Sequence, residues 1–262
     1  MRARGFLAVV VLSLAGVLAG CVPRQPPEPD SRIAAAAAIK ELKAARAKVP
    51  GGYRVDFSAT WWNPEDGSWA WSGTLHGTGG DWQASSELRF AGAPYAHLES
   101  VQVGDVRYHR QTGEVNFGQW RRYDGSALAN SFVKLRYDPV SKTVTSRAVY
   151  RMPEVDALRY LDVAVAAKLP RADLPGGGHR YELHGIEWAP AEPLWQQLKD
   201  AGIISPNVTV DVGGDGLPSR VTLTASGSGT MWQVTVTMTV HDIGAAVTVS
   251  PPPPDQVVPG ER

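Results

Sequence analysis

From Tyr53 to Trp61 every second residue is apolar, so Tyr53, Val55, Phe57, Ala59 and Trp61 share one face of a strand. Trp69, Trp71, Gly73 and Leu75 share a second face, and Trp82, Ala84, Ser86, Leu88 and Phe90 a third, opposite Gln83, Ser85, Glu87 and Arg89. The joints Asn63 to Gly67 and Gly77 to Asp81 are rich in turn residues. The pattern predicts a meander of antiparallel strands with one apolar and one wet side. Weaker strands are expected around His97 to Val103, Val106 to His109 and Gln119 to Tyr123. Trp62 alternates away from Trp61, so one of the pair faces solvent or a loop.

Helical spacing flanks this region. Ser31 is a candidate N-cap for a helix through the alanine run Ala34 to Ala38, with Ile33, Ala36, Ile39, Leu42 and Val49 near one face and Pro50-Gly51-Gly52 as the stop. Gly125 to Arg136 reads as a short helix. Pro153 opens a clearer one, with Val155, Leu158, Leu161, Val165 and Leu169 on one stripe, and Pro170 ends it. Tyr181 to Trp188 reads as a strand, and Pro193 to Ala201 as a helix bearing Leu194, Trp195 and Leu198. Alternation then returns: Val208, Val210 and Val212, the turn Asp215-Gly216, and Val221, Leu223 and Ala225. Trp232, Val234, Val236, Met238 and Val240 alternate with Thr235, Thr237 and Thr239 in the cleanest period-2 run of the chain. Pro251 to Pro254 closes the domain and begins a loose Pro-rich tail, 251–262.

The first residues address the chain. Arg2 and Arg4 precede an uncharged apolar run, Phe6 to Ala19, shorter than the ~20 residues a spanning helix needs. It reads as a signal-peptide core. Leu18-Ala19-Gly20-Cys21 follows, the arrangement that bacterial lipoprotein processing requires. Residues 1–20 are then the leader, and Cys21 carries the lipid anchor. Residues 21–30, with Pro23, Pro26, Pro27 and Pro29, form a stiff tether, and residues 31–250 form a single domain. Two or three acyl chains, at ~0.8 kcal/mol per buried methylene, hold firmly. Cys21 is the one cysteine of the chain, so no disulfide supports the exported domain. The formal charge of the whole chain is zero, and no basic stripe argues for nucleic acid. The expected location is the extracytoplasmic face of the cell membrane.

Val210-Asp211-Val212-Gly213-Gly214-Asp215-Gly216-Leu217-Pro218-Ser219-Arg220-Val221 resembles the late hairpin of the actinobacterial LprG/LppX-type lipoproteins. So does Asp242-Ile243-Gly244-Ala245-Ala246-Val247-Thr248-Val249 running into Pro252-Pro253-Pro254-Asp255-Gln256-Val257. The resemblance implies an α+β domain: a curved antiparallel half-barrel sheet with helices packed across its concave face, LolA-like. It also implies an apolar cavity that holds acyl chains of cell-envelope lipids, with a membrane transporter as a possible partner.

The candidate cavity residues are Phe57, Trp61, Trp69, Trp71, Leu75, Leu88 and Phe90 on the early strands, and Val155, Leu158, Leu161 and Val165 on the Pro153 helix. Val234, Val236 and Met238 on the last strand complete the set. Trp61, Trp69, Trp71 and Trp82 fit two roles, lining a lipid pocket or filling a core. No catalytic motif, cofactor fingerprint or metal-ligand spacing stands out. Ser226-Gly227-Ser228-Gly229 reads as a turn, and His97 and His109 could meet across neighbouring strands. His179 and His184 flank a strand on its solvent side. Two functions remain open: a carrier of acylated lipids, and a closed-core surface module that tethers or senses a partner.

Overall fold

The computed structural model describes residues 32–63, 67–114, 118–124, 130–137, 144–162, 169–184, 193–200, 203–227 and 232–260. The leader, Cys21, the tether, Ser31 and Val165 lie outside the described residues, as does part of the Ser226–Gly229 turn.

The early alternation is a meander of six strands: β2 (Gly52–Asn63), β3 (Gly67–Thr78), β4 (Asp81–Phe90), β5 (Ala93–Val103), β6 (Val106–Gly113) and β7 (Trp120–Asp124). The late alternation is β12 (Ile203–Gly213), β13 (Pro218–Gly227) and β14 (Trp232–Ala245). With β1 (Arg32–Ile33), β10 (Leu169–Asp173), β11 (Gly178–His184) and β15 (Val257–Pro259), these make a 13-stranded sheet in the order β1-β10-β11-β12-β13-β14-β2-β3-β4-β5-β6-β7-β15. Every pairing in it is antiparallel except β15 with β7. β14 lies beside β2, so the last long strand joins the two halves of the chain in one sheet.

Helix α1 (Ala35–Ala47) starts later than the sequence predicts. Ala34 stands at its N-terminus and caps nothing with its side chain, because an alanine run has enough intrinsic propensity to begin without a cap. Arg32 and Ile33 pair with Pro170 and Leu169 instead. The buried stripe is Ala38, Leu42, Ala45 and Val49; Ala36 is exposed and Ile39 half-buried. Two polar clamps hold α1 across the C-terminal strands. Glu41 accepts from Arg171 of β10 and from the Tyr181 hydroxyl of β11. Lys48 Nζ donates to the Asp215 carbonyl in the β12–β13 turn at 2.9 Å.

Three further expectations are corrected. The helix expected over Gly125 to Arg136 is a strand from Asn130: β8 (Asn130–Tyr137) pairs with β9 (Val144–Met152) in a separate two-stranded sheet. Asn130 to Tyr137 mixes β-branched and aromatic residues with polar ones at period 2, and a partner strand of the same kind outweighs weak helical spacing. The Pro153 helix is a short 3₁₀ turn, and Leu169 and Pro170 belong to β10, for reasons given below. The Pro-rich tail is not loose throughout. Val257 to Pro259 runs parallel to Trp120 to Arg122, and Gly260 N donates to Arg122 O at 2.7 Å. Proline cannot supply a ladder donor, so the run ends in two valines that can, and Pro259 sits at the sheet edge where its missing N–H costs nothing. Helix α2 (Pro193–Asp200) buries Leu194 and Leu198 as expected.

The register of β14 generates a direct test. Val236 is fully buried opposite Ala59 and Leu223, whereas Thr237 faces Ser58 and Thr222 on the wetter side. Val236→Glu is expected to cost several kcal/mol and Thr237→Glu less than ~1 kcal/mol, because only the first buries an unpaired carboxylate. Denaturant melts of the two variants check this; equal losses would mean the register is wrong.

Candidate functional site on the inner face of the sheet

Cross-strand register turns separate apolar stripes into one surface. Val240, Met238 and Val236 of β14 stand opposite Val55, Phe57 and Ala59 of β2; these stand opposite Leu75, Gly73 and Trp71 of β3, and those opposite Ala84, Ser86 and Leu88 of β4. The same face continues the other way through Val221 and Leu223 to Val210 and Val208, then to Tyr181 and Leu183. Nearly all of these side chains are buried in a single hydrophobic cluster.

Aromatic rings occupy one end of this face. Trp61 stacks parallel to its cross-strand partner Trp69 at 6.0 Å, and Trp69 also meets Phe90 at 4.8 Å and Tyr95 edge-on at 5.2 Å. Phe57 packs on Trp71 at 4.6 Å, and Trp71 Nε1 donates to Ser86 Oγ at 2.9 Å. Such ring pairs contribute ~0.5–1.5 kcal/mol each beyond burial. A register shift between Leu88 and Arg89 makes Tyr95 an extra residue of β5, and both Tyr95 and Ala96 are buried. Trp62 points the other way and is 42% exposed.

The cover over this face includes residues 152–161, where the sequence predicts a helix. Two acidic side chains prevent it. Glu154 Oε1 accepts from the N–H groups of Val155 and Asp156 at 2.9 and 3.0 Å, and Asp156 Oδ1 caps Leu158 N at 3.1 Å. These side-chain acceptors take the donors of a first helical turn, so only the 3₁₀ turn Ala157–Leu161 forms. It still buries Leu158 and Leu161, with Val155 just before it, and packs against β13, β14 and α1.

A buried polar latch fixes this segment to the sheet. The Tyr53 hydroxyl donates to Asp156 Oδ1 at 3.0 Å, and the Tyr160 hydroxyl donates to the Glu154 carbonyl at 3.1 Å. Tyr53 reaches Asp156 because its ring lies across Gly77, its cross-strand neighbour, where a Cβ would strike the ring. Burial, then the neighbouring Glu154 carboxylate, push the Asp156 carboxyl up to about 6, against the opposing hydrogen bonds from Leu158 N and Tyr53. Burial and the adjacent Asp156 also raise the Tyr53 phenol.

Beyond Ala96 and Leu98 of β5 the inner face becomes polar. Arg107, only 4% exposed, places its guanidinium 4.8 Å over the Trp82 ring and donates to Gln102. His109 Nδ1 lies 3.0 Å from Ser100 Oγ, and burial, then Arg107 and Arg121, push the ring down to about 4. His97 and His109 do not meet. His97 pairs with Thr112 and His109 with Ser100, so the two rings lie three residues apart on opposite faces. His97 instead approaches Ser85 on the exposed side. His179 and His184 lie half-buried beside Asp173 and Glu182. Among the described residues no cluster of His, Cys, Asp and Glu could hold a metal ion.

The candidate residues Phe57, Trp61, Trp69, Trp71, Leu75, Leu88, Val155, Leu158, Leu161, Val234, Val236 and Met238 are all buried, and Phe90 is partly so. They are packed against one another and against the cover. Sequence reasoning missed Arg107, Gln111, Glu154 and Asp156, all buried. The available signal was Pro153-Glu154-Val155-Asp156: two carboxylates inside an otherwise apolar stretch.

No protein-family model matches the chain, and no curated protein matches it. Among solved structures, the crystal structure of LprF from Mycobacterium bovis is similar, at 15% identity and a TM-score of 0.38, over 83% of this chain and 97% of that one. The crystal structure of Rv2717c from M. tuberculosis is similar at 9% identity and a TM-score of 0.25, over 78% and 96%. At these identities and TM-scores no residue role passes from either protein to this chain.

The Asp156 carboxyl makes stability depend on pH with a defined sign. Folding raises its pKa from 3.8 to about 6, so its support for the fold is complete below ~4 and is lost as pH rises through 6. The full effect is on the order of 3 kcal/mol. Asp156→Asn keeps an oxygen acceptor for Tyr53 and Leu158 but cannot ionise. Its Tm minus that of the parent is expected to rise between pH 4 and pH 8; a flat difference would mean that Asp156 ionises normally.

Proposed function

We propose that the chain is a cell-envelope lipoprotein, fixed to the extracytoplasmic face of the cell membrane through a lipid on Cys21. In this reading it binds acylated lipids between sheet and cover for transport or presentation, without catalysing a reaction. The leader and Leu18-Ala19-Gly20-Cys21 support the anchor. The late-hairpin resemblance supports a LolA-like half-barrel with helices across the concave face, and a membrane transporter as a partner.

One observation carries the lipid-binding reading. A 13-stranded sheet presents one long apolar face, and the described helical elements that share its core are short: a 13-residue helix, a five-residue 3₁₀ turn and an eight-residue helix. Acyl chains bind such a face by burial alone, at ~25 cal/mol per Å². The candidate residues are packed, so lipid enters where the cover parts from the sheet. The 153–161 segment suits that movement, since it is a short turn held by side-chain hydrogen bonds and lacks the continuous ladder of a helix.

A second reading, a closed surface module without a lipid ligand, draws on the stacked rings Trp61, Trp69, Phe90 and Tyr95, which fill one end of the face.

Tryptophan fluorescence separates the two. Lipids brominated along the acyl chain should quench the inner-face tryptophans strongly in a Trp62→Phe background, and Trp69→Phe should reduce that quenching. Quenching abolished by Trp62→Phe alone would reject the carrier and favour the module. For the anchor, Cys21→Ala is expected to leave the melting temperature unchanged and move the protein to the soluble fraction. Retention of that variant in membranes through a high-salt wash would contradict anchoring by Cys21.

A further inference from the structure

The polar end of the inner face holds two buried nitrogens without a hydrogen-bond partner among the described residues. Arg107 Nη2 donates to Gln102, but Nη1 is shielded from solvent and meets no acceptor among the described residues. His109 Nε2 is also shielded and meets none there either. An unpaired donor of this kind costs ~1–3 kcal/mol, more when charged, so a fold keeps it where something else supplies the acceptor. Nearby carboxylates do not. Glu154 and Asp156 act on Arg107 through space, but Glu154 Oε1 and Asp156 Oδ1 are already engaged by backbone N–H groups.

The strand register brings a third cation to the same place. Arg107 and His109 are alternate residues of β6 and so share a face, ~7 Å apart. Arg121 of β7 is the cross-strand partner of His109, which places its side chain on that face too. Both arginines act on the His109 ring electrostatically, as close neighbours do. In the tautomer whose Nδ1 accepts from the Ser100 hydroxyl, the neutral His109 ring carries its proton on Nε2 and presents it as a donor. Two guanidinium groups and an imidazole on one face of adjacent strands make a donor set of the kind that suits phosphate.

We propose that Arg107, His109 and Arg121 form a phosphate-binding site at the polar end of the inner face. Trp82 lies directly under Arg107, and Leu88 is on the same strand as Trp82, so the site adjoins the apolar surface. A phosphate there can be the headgroup of a lipid whose acyl chains lie on that surface, or a free phosphate. The headgroup case rests on the lipid-binding reading given above. The site itself does not.

The test uses the whole chain carrying Cys21→Ala and three probes: inorganic phosphate, dioctanoyl phosphatidylglycerol and uncharged dioctanoylglycerol. Calorimetry reads affinity, and nitrogen NMR reads the His109 ring. Phosphatidylglycerol is expected to bind at least ~10-fold more tightly than dioctanoylglycerol, a margin of 1.4 kcal/mol. Arg121→Gln should remove that preference while leaving dioctanoylglycerol binding in place. Arg121 is half-buried, so this variant avoids the folding risk of Arg107→Gln. His109 should titrate at a higher pH with phosphatidylglycerol bound, because the anion offsets Arg107 and Arg121, the charges that face the ring. Binding of inorganic phosphate that Arg121→Gln abolishes, with no binding of dioctanoylglycerol, would keep the site and reject the lipid reading. Equal affinity for the two lipids, with the His109 signal unmoved, would overturn the site and leave the lipid reading standing. No response to any probe would overturn both.

Discussion

Val236 stands opposite Ala59, Met238 opposite Phe57 and Val240 opposite Val55, and this register between β14 and β2 is what makes two runs of strands into one sheet. Each half of the chain alternates on its own, but alternation alone leaves the relative facing of the halves undecided. A slip of one residue at this junction would turn every apolar side chain of β12 to β14 to the opposite face from those of β2 to β4. With the observed pairing, apolar residues from Tyr181 to Leu88 line one surface, and α1, the 153–161 segment and α2 share a single core with it.

That shared core explains why the polar residues stand where they do. A short turn with little hydrogen bonding of its own has to be fixed to the sheet by something directional, and Tyr53 reaching Asp156 supplies it. Gly77 contributes by having no side chain, since the Tyr53 ring occupies the place where one would be. The Asp156 carboxyl remains near its titration midpoint in mildly acidic solution, so the latch is sensitive to pH as well as to mutation. Further along the face, Arg107, His109 and Gln111 replace the apolar residues of the earlier strands, and the surface becomes amphipathic from one end to the other.

Strand assignment was legible wherever one side of a strand is wet. Gln83, Ser85, Glu87 and Arg89 are all exposed, and the run from Val234 to Val240 alternates as the sequence predicts. The failures have physical causes. Asn130 to Tyr137 contains spacings that suit either a helix or a strand, and only its pairing with Val144 to Met152 decides between them. The stripe Val155, Leu158 and Leu161 is a genuine apolar face, but local side-chain acceptors at Glu154 and Asp156 compete with helix formation, an effect that hydrophobic spacing does not register. The tail 251–262 reads as loose from its prolines because its pairing with β7 depends on two valines beyond the proline run. For the site, the apolar members were readable from period 2. Arg107 and His109 were not, since a charged residue on a predicted inner face has the same sequence signature as one on an outer face.

The proposed carrier function requires the inner face to hold acyl chains. Native mass spectrometry of the protein purified from its own membranes, with the Cys21 anchor replaced by alanine, tests it most directly. A carrier should show a second species heavier than the protein by the mass of an acylated lipid, lost on organic extraction and regained on adding the extract back. A single bare mass under every condition, from a protein whose melting temperature does not change on extraction, would contradict it.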